Sequence, residues 1–422
     1  MQRFFFLFVL ILVSNACNTD NPIKGSRTGD ENTIQSQAIR NFNYSIGTQA
    51  IDHSYKFTGE TGLVEMARGI MSMGSNILKI VLQTGKGKYG DMDYQPLSLK
   101  DLVENEPSFR AVLDMDFSYY LMWAYGPATF SDGMSQADKD AEYKAIFELA
   151  TYLLTKYNNT GKTFYLGNWE GDWHLINDFD GSESWDGNRK DIKTEWIDSM
   201  SDWFNVRQKA VDDARKKTKH NNVEVYNYIE VCLVNSAMNG LPRLTNKVLP
   251  LTNPDFVSYS CYDITNIVPG RSMEQMKTDL IKGLDFIEGH LQPKPEIKGK
   301  RVFIGEYGYP YGPGFRSNQV TSPEEQDAWS RMVLKAGLEW GTPFILQWAF
   351  YNNEIDHKGE QIGFWMINDK NQKQPVYFTY QNFYKAAKKW VTNFYVENNR
   401  LPGREEYDSF AVKMIDQVTN QP

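Results

Sequence analysis

Strand-prone runs alternate with longer helical patterns eight times between residues 44 and 393, and this alternation predicts an α/β fold, a (β/α)8 TIM barrel with enlarged loops on its C-terminal face. Two further observations support it. Strand–helix alternation implies parallel strands with helices packed outside them. The turn after the first strand, Gly47-Thr48-Gln49, lacks the Gly-rich phosphate loop that commonly marks the competing open doubly wound sheet. The 422 residues are 41% apolar, with 24 Tyr and 24 Phe, which is enough for one large core and excludes general disorder.

The expected strands are Tyr44–Ala50, Ile77–Leu82, Phe117–Trp123, Thr163–Asn168, Val223–Val231, Phe256–Ser260, Arg301–Glu306 and Phe344–Trp348. Helical patterns fill the intervals at Glu60–Met73, Asp138–Tyr157, Lys190–Lys217, Met273–His290 and Pro323–Trp340, with Tyr380–Tyr395 after the eighth strand. The barrel is expected over 41–395, with 396–422 as a polar C-terminal extension. The tryptophans at 196, 203, 329, 340 and 390 fall in helical patterns and are expected to pack helix against sheet.

Upstream, Arg3 precedes a ten-residue apolar run, Phe4–Val13, too short to span a bilayer comfortably. Ser14-Asn15-Ala16-Cys17 follows and resembles the lipobox of bacterial lipoproteins. That resemblance implies cleavage before Cys17, lipidation of Cys17, and export to a bacterial membrane, the outer membrane in this reading, on its periplasmic or cell-surface face. An ordinary secretory signal, residues 1–17, is the alternative. Residues 18–40 are rich in Asn, Thr, Asp, Ser and Gly and read as a tether.

Charge narrows the partners. Lys and Arg total 45 against 53 Asp and Glu, a formal charge of -8, which argues against nucleic acid. The basic run Arg215–Lys219 ends a helix, where it complements the macrodipole. Five His and three Cys leave little for a zinc framework, and no metal or organic cofactor is expected. The loop Asn177-Asp178-Phe179-Asp180 is a weak calcium candidate. Cys232 and Cys261 each sit in an apolar run and read as buried free thiols, a disulfide between them being the alternative.

Barrel chemistry sits where strands end and loops begin. Two segments there run from an apolar strand directly into a carboxylate flanked by glycine and aromatics: Thr163-Phe-Tyr-Leu-Gly-Asn-Trp-Glu170 and Arg301-Val-Phe-Ile-Gly-Glu306-Tyr-Gly. A carboxylate at the end of a buried strand is costly unless something uses it. Glycoside cleavage is one such use, needing one carboxylic acid and one carboxylate. Asp172 and Glu230 are the alternatives to Glu170. His174 reads equally as a structural or a substrate-contacting residue.

A glutamate after strand four and another in Ile304-Gly305-Glu306-Tyr307-Gly308 after strand seven resemble the clan of retaining glycoside hydrolases called the 4/7 superfamily, over about residues 44–393. The resemblance implies Glu306 as nucleophile, Glu170 as acid/base, and Asn168 on the sugar 2-hydroxyl. It also implies Trp348 as the floor of the reacting subsite and Tyr259 or Tyr262 against the nucleophile. Trp123, Tyr125, Trp169 and Trp173 look like sugar-stacking groups. The clan places Asn directly before the acid/base, whereas Trp169 intervenes here. Asn168 and Glu170 therefore share a face only if the strand runs through both. The expected function is a lipid-anchored retaining glycoside hydrolase acting on a poly- or oligosaccharide. A carbohydrate-binding lipoprotein without turnover, or an inverting hydrolase with another acid pair, are the competing readings.

Overall fold

A computed structural model describes residues 36–84, 89–181, 185–316 and 319–422. Cys17 and the leader lie outside the described residues. Eight parallel strands close into a barrel in sequence order: β1 Ile46–Gln49, β2 Ile77–Leu82, β3 Tyr119–Ala124, β4 Thr163–Gly167, β5 Glu224–Val231, β6 Phe256–Ser260, β7 Val302–Tyr307 and β8 Ile345–Gln347. Closure is direct, with β1 pairing β8 through Ile46↔Ile345 and Thr48↔Gln347. Strands covered on both faces read as unbroken apolar runs, and β2, Ile-Leu-Lys-Ile-Val-Leu, is buried throughout.

The helices are α1 Gly62–Met73, α2 Leu99–Asn105, α3 Pro107–Asp114, α4 Gln136–Lys156, α5 Gly171–Asn177, α6 Thr194–Lys217, α7 Val234–Met238, α8 Tyr262–Thr265, α9 Met273–Glu288, α10 Pro323–Trp340, α11 Pro375–Asn398 and α12 Arg404–Gln417. Local chemistry fixes several ends. Ser135 and Asp138 form a reciprocal capping box on α4. Ser322 caps α10 ahead of Pro323, and Gly341 ends it in a left-handed conformation.

All eight expected strands are present. The helices α2, α3, α5, α7 and α8 were not foreseen, being too short to show a period. The polar C-terminal stretch is a packed helix: α12 buries Tyr407, Ala411 and Ile415, and the Tyr407 hydroxyl donates to the Tyr44 carbonyl at 2.9 Å. Trp390 on α11 stacks on Phe410 at 4.4 Å. No helix among the described residues is long and apolar enough to cross a membrane. Cys232 and Cys261 are both free and buried.

Two kinds of side chain fill the barrel. Its lower part is aromatic, with Tyr165 packing edge-on to Phe256 and Phe344 at 5.2 and 5.1 Å. Its upper part is polar: Lys79, Glu230 and Ser258 are fully buried there and bonded to one another. Gly305 lets this layer form, since a Cβ at that position would stand 1.7 Å from the Ser258 hydroxyl.

Candidate active site

A cavity of about 570 Å3 opens where the strands end, and both Glu170 and Glu306 line it. Its walls include Trp123, Trp169, Trp173 and Trp348, and Tyr125 lines it too. Trp123 and Trp348 lie 6.1 Å apart, tilted by 37°.

Glu306 reaches this cleft through an irregular strand end. Phe303 packs inside the barrel against Phe344, and strict alternation would turn Glu306 outward. The register shifts at Tyr259/Ser260 on one side and between Ile304 and Tyr307 on the other. Such breaks re-aim a side chain, and here Ser260 and Glu306 come into register at the mouth of the barrel.

Glu170 arrives differently. β4 stops at Gly167, and Glu170 is the N-cap residue of α5. The tight passage requires Gly171, because a Cβ there would meet Leu244 at 2.6 Å and the Glu230 carbonyl at 3.2 Å. Below it, Arg207 on α6 holds the Gly167 carbonyl at 3.0 Å and pairs with buried Glu142 on α4 at 2.6 Å. The Ser260 hydroxyl donates to Glu170.

Because the strand ends early, Asn168 does not share a face with Glu170. Its Oδ1 accepts the Glu230 N–H at 3.0 Å, and its amide nitrogen donates to the Trp169 carbonyl at 3.1 Å. It stitches β4 to β5 and is absent from the cleft lining. Asn168, expected to contact the sugar, is bonded to β5 in this structure. Tyr259 is likewise turned away: its hydroxyl donates to Asp263 at 2.5 Å. Tyr262 lines the cleft instead, and its hydroxyl has no partner among the described residues. Among the described residues Glu306 Oε2 also makes no hydrogen bond.

Asp172 and Glu230 are both satisfied inside the scaffold. Asp172 accepts the N–H groups of Cys232, Leu233 and Leu244 at 2.8, 3.2 and 2.7 Å. Asp172→Ala should leave three buried donors unpaired, at ~1–3 kcal/mol each. The expected result is a large loss in the urea midpoint together with any loss of activity; an inactive variant of parental stability would make Asp172 a chemical group. Glu230 accepts from Lys79 at 3.0 Å, Ser258 at 2.7 Å, Trp123 at 3.1 Å and the Glu170 N–H at 3.2 Å.

Lys79 was not anticipated, although a lone lysine in an apolar strand is a visible signal. Its ammonium stands 3.7 Å from Glu306 Oε2 and 4.3 Å from the Trp123 ring centre, and it donates to the Gly305 carbonyl at 2.9 Å. Glu354 and Arg316 were also missed. They pair with each other at the cleft rim, and Glu354 accepts from the Trp348 indole at 3.1 Å. Both lie in loops whose sequence carries no such signal.

Burial pushes both cleft glutamates up. Glu170 rises to about 7, chiefly by desolvation and the nearby Glu230 charge, against the Ser260 hydrogen bond and Lys79. Glu306 is raised well above the ordinary carboxylate range by burial, opposed by Lys79 and reinforced by Glu170, Glu230 and Glu354. Two acids raised together in one cleft titrate as a pair. The sign for stability follows. A carboxyl whose folded value is raised from 4.5 to about 7 stabilises the fold fully below 4.5, and that contribution is lost as pH rises through about 7. Thermal midpoints should therefore fall between pH 5 and pH 8, and Glu170→Gln should lessen the fall; an unchanged slope would contradict the raised value.

His174 does not reach the acid pair; its Nδ1 contacts Asp178 at 2.6 Å. Asp180, in the expected calcium loop, is paired with Arg189. Among the described residues no group of three His, Cys, Asp or Glu side chains has an arrangement that could hold a metal ion.

No protein-family model and no curated protein matches the chain. Solved structures similar to it include a β-glucuronidase 2 of Bacteroides uniformis, at 13% identity, 80% of this chain, 34% of that one and a TM-score of 0.47. A broad-specificity endoglucanase from Clostridium acetobutylicum aligns at 14% identity over 81% of this chain and 96% of that one, with a TM-score of 0.47. A family 39 glycoside hydrolase from Bacteroides cellulosilyticus aligns at 12% identity over 81% and 64%, with a TM-score of 0.45. The chain spans 34% and 49% of the lengths of the two β-glucuronidases from Bacteroides uniformis and Faecalibacterium prausnitzii.

Proposed function

We propose that this chain is a retaining glycoside hydrolase acting on a poly- or oligosaccharide, with Glu306 as nucleophile and Glu170 as acid/base. The observation that carries this reading is two buried carboxyl groups facing one tryptophan-walled cleft at the ends of β4 and β7. Neither is consumed by the scaffold, in contrast to Asp172 and Glu230. Lys79 at 3.7 Å favours the charged form of Glu306. Glu170, which accepts from the Ser260 hydroxyl, keeps the proton for the leaving oxygen. Glu306 attacks the anomeric carbon; Glu170, now a base, activates the water that releases the sugar. Trp348 and Trp123 present apolar faces to the ring, and Tyr262 supplies a hydroxyl beside the nucleophile.

One observation favours binding without turnover: Asn168 is engaged by β5 and is not presented to a sugar. A polysaccharide panel with product analysis separates the two readings. Release of products with retained anomeric configuration supports the hydrolase, and binding without cleavage supports the alternative.

We further propose that Cys17 carries a lipid that anchors the exported protein to a membrane, motivated by the apolar run and Ser14-Asn15-Ala16-Cys17. Cys17→Ala should move the protein to a soluble fraction or leave it unprocessed. A variant that fractionates and migrates like the parent would refute the anchor.

A further inference from the structure

Beside the cleft lies a second cavity of about 690 Å3, and the two share a wall made by Trp169 and Trp173. Both volumes fall in the ~300–1,000 Å3 range of small-molecule sites. Trp185 closes the aromatic set, 5.2 Å from Trp173 and 6.2 Å from Trp169, and is 62% exposed. An indole left in water beside a cavity, with two more indoles inclined to it at 63° and 64°, is poorly explained by packing. Two lining residues also carry buried polar atoms without hydrogen-bond partners among the described residues: His174 Nε2 and Asn177 Oδ1. Apolar ring faces combined with spare donors and acceptors suit a sugar, which has both CH faces and hydroxyl edges.

Charge specifies the ligand further. Asp52, Glu170, Asp263, Glu306 and Glu354 line the first cavity; with Glu170 carrying its proton and Asp263 raised to about 7 by burial, the lining still holds more carboxyl groups than cations, since Arg316 is already paired with Glu354. An anionic sugar unit would meet like charge on entering.

We infer that the second cavity holds the further sugar units of the same neutral glycan whose scissile bond lies between Glu170 and Glu306, so that the preferred substrate is an extended neutral chain filling both cavities. This rests on the glycosidase reading above and adds chain length and charge to it. Trp185 is the platform for the distal units, and His174 and Asn177 are their hydrogen-bonding rim.

The test uses the Glu306→Gln protein, which holds ligand without consuming it, titrated by calorimetry with neutral gluco-, manno- and xylo-oligosaccharides from disaccharide to hexasaccharide and with a galacturonate hexamer. Affinity for a neutral series should rise about tenfold or more with length. Trp185→Ala, an exposed position whose loss does not threaten the core, should weaken the hexasaccharide about tenfold more than the disaccharide. Equal affinity at all lengths, or equal weakening by Trp185→Ala at all lengths, overturns the assignment while leaving the glycosidase reading intact. Tighter binding of the galacturonate hexamer overturns the neutral-chain part. Absence of binding by every oligomer, with wild-type protein inert on the polysaccharide panel, overturns both.

Discussion

Glu306→Gln should remove turnover on every glycoside, by at least ~10^4-fold, because the proposed covalent glycosyl intermediate cannot form on an amide. Binding should persist, since the substitution keeps shape and leaves the tryptophan walls in place. Glu170→Ala behaves differently. Natural polysaccharide, with a poor leaving group, should slow by about 10^2–10^4-fold. Aryl glycosides with very good leaving groups need little protonation, so their first step survives and the second becomes limiting. Azide, which needs no general base, should then accelerate the variant and give a glycosyl azide of retained configuration. An azide product of inverted configuration would mean that azide displaces the leaving group directly, which makes Glu170 the nucleophile or places the pair on an inverting path, the latter with a separation of about 6.5–9.5 Å rather than ~5–5.5 Å. Near-normal activity of Glu170→Ala on polysaccharide would remove it from the acid/base role. The pH profile supplies an independent check. Activity of the parent should fall as pH rises through about 7, when Glu170 loses its proton, and Glu170→Ala should lose that alkaline limb.

The strands were legible because a parallel barrel buries both faces, so the pattern is a run of apolar residues bounded by polar loops. The two acids were legible for the related reason that each interrupts such a run where solvent begins. What failed was the last residue or two of a strand. β4 ends at Gly167, not Asn168, because the Asn168 side-chain Oδ1 captures the Glu230 N–H and the chain turns at once into α5. On β6, Tyr259 points to the outer layer, where Asp263 receives its hydroxyl, and Tyr262 on the following helix takes the cleft position. Sequence left those two tyrosines as alternatives because the turn between them sets the facing. Glu354 and Arg316 depend on two separate loops meeting, a fact of tertiary structure with no local trace.

Lys79→Met should strongly destabilise the fold while sparing both cleft glutamates. The lysine is fully buried, and it is the cation paired with Glu230 at 3.0 Å and with Glu306 at 3.7 Å. Taking away one partner of a buried pair leaves an uncompensated charge, at about 3–5 kcal/mol. Urea denaturation should show a loss of that size for Lys79→Met and a similar loss for Glu230→Leu. The double variant Lys79→Met/Glu230→Leu should recover much of it, because two apolar groups replace two desolvated charges. Additive losses in the double variant would mean the pair is not the source. Activity follows a separate course. Without Lys79 nothing holds Glu306 ionised against burial and its acidic neighbours, so the acidic limb of the pH–rate profile should move to higher pH in Lys79→Met. The stabilised double variant should stay below parental activity at low pH, since it regains the fold without regaining the cation. Recovery of activity along with stability would show that Lys79 serves packing alone and that Glu306 is ionised by some other group.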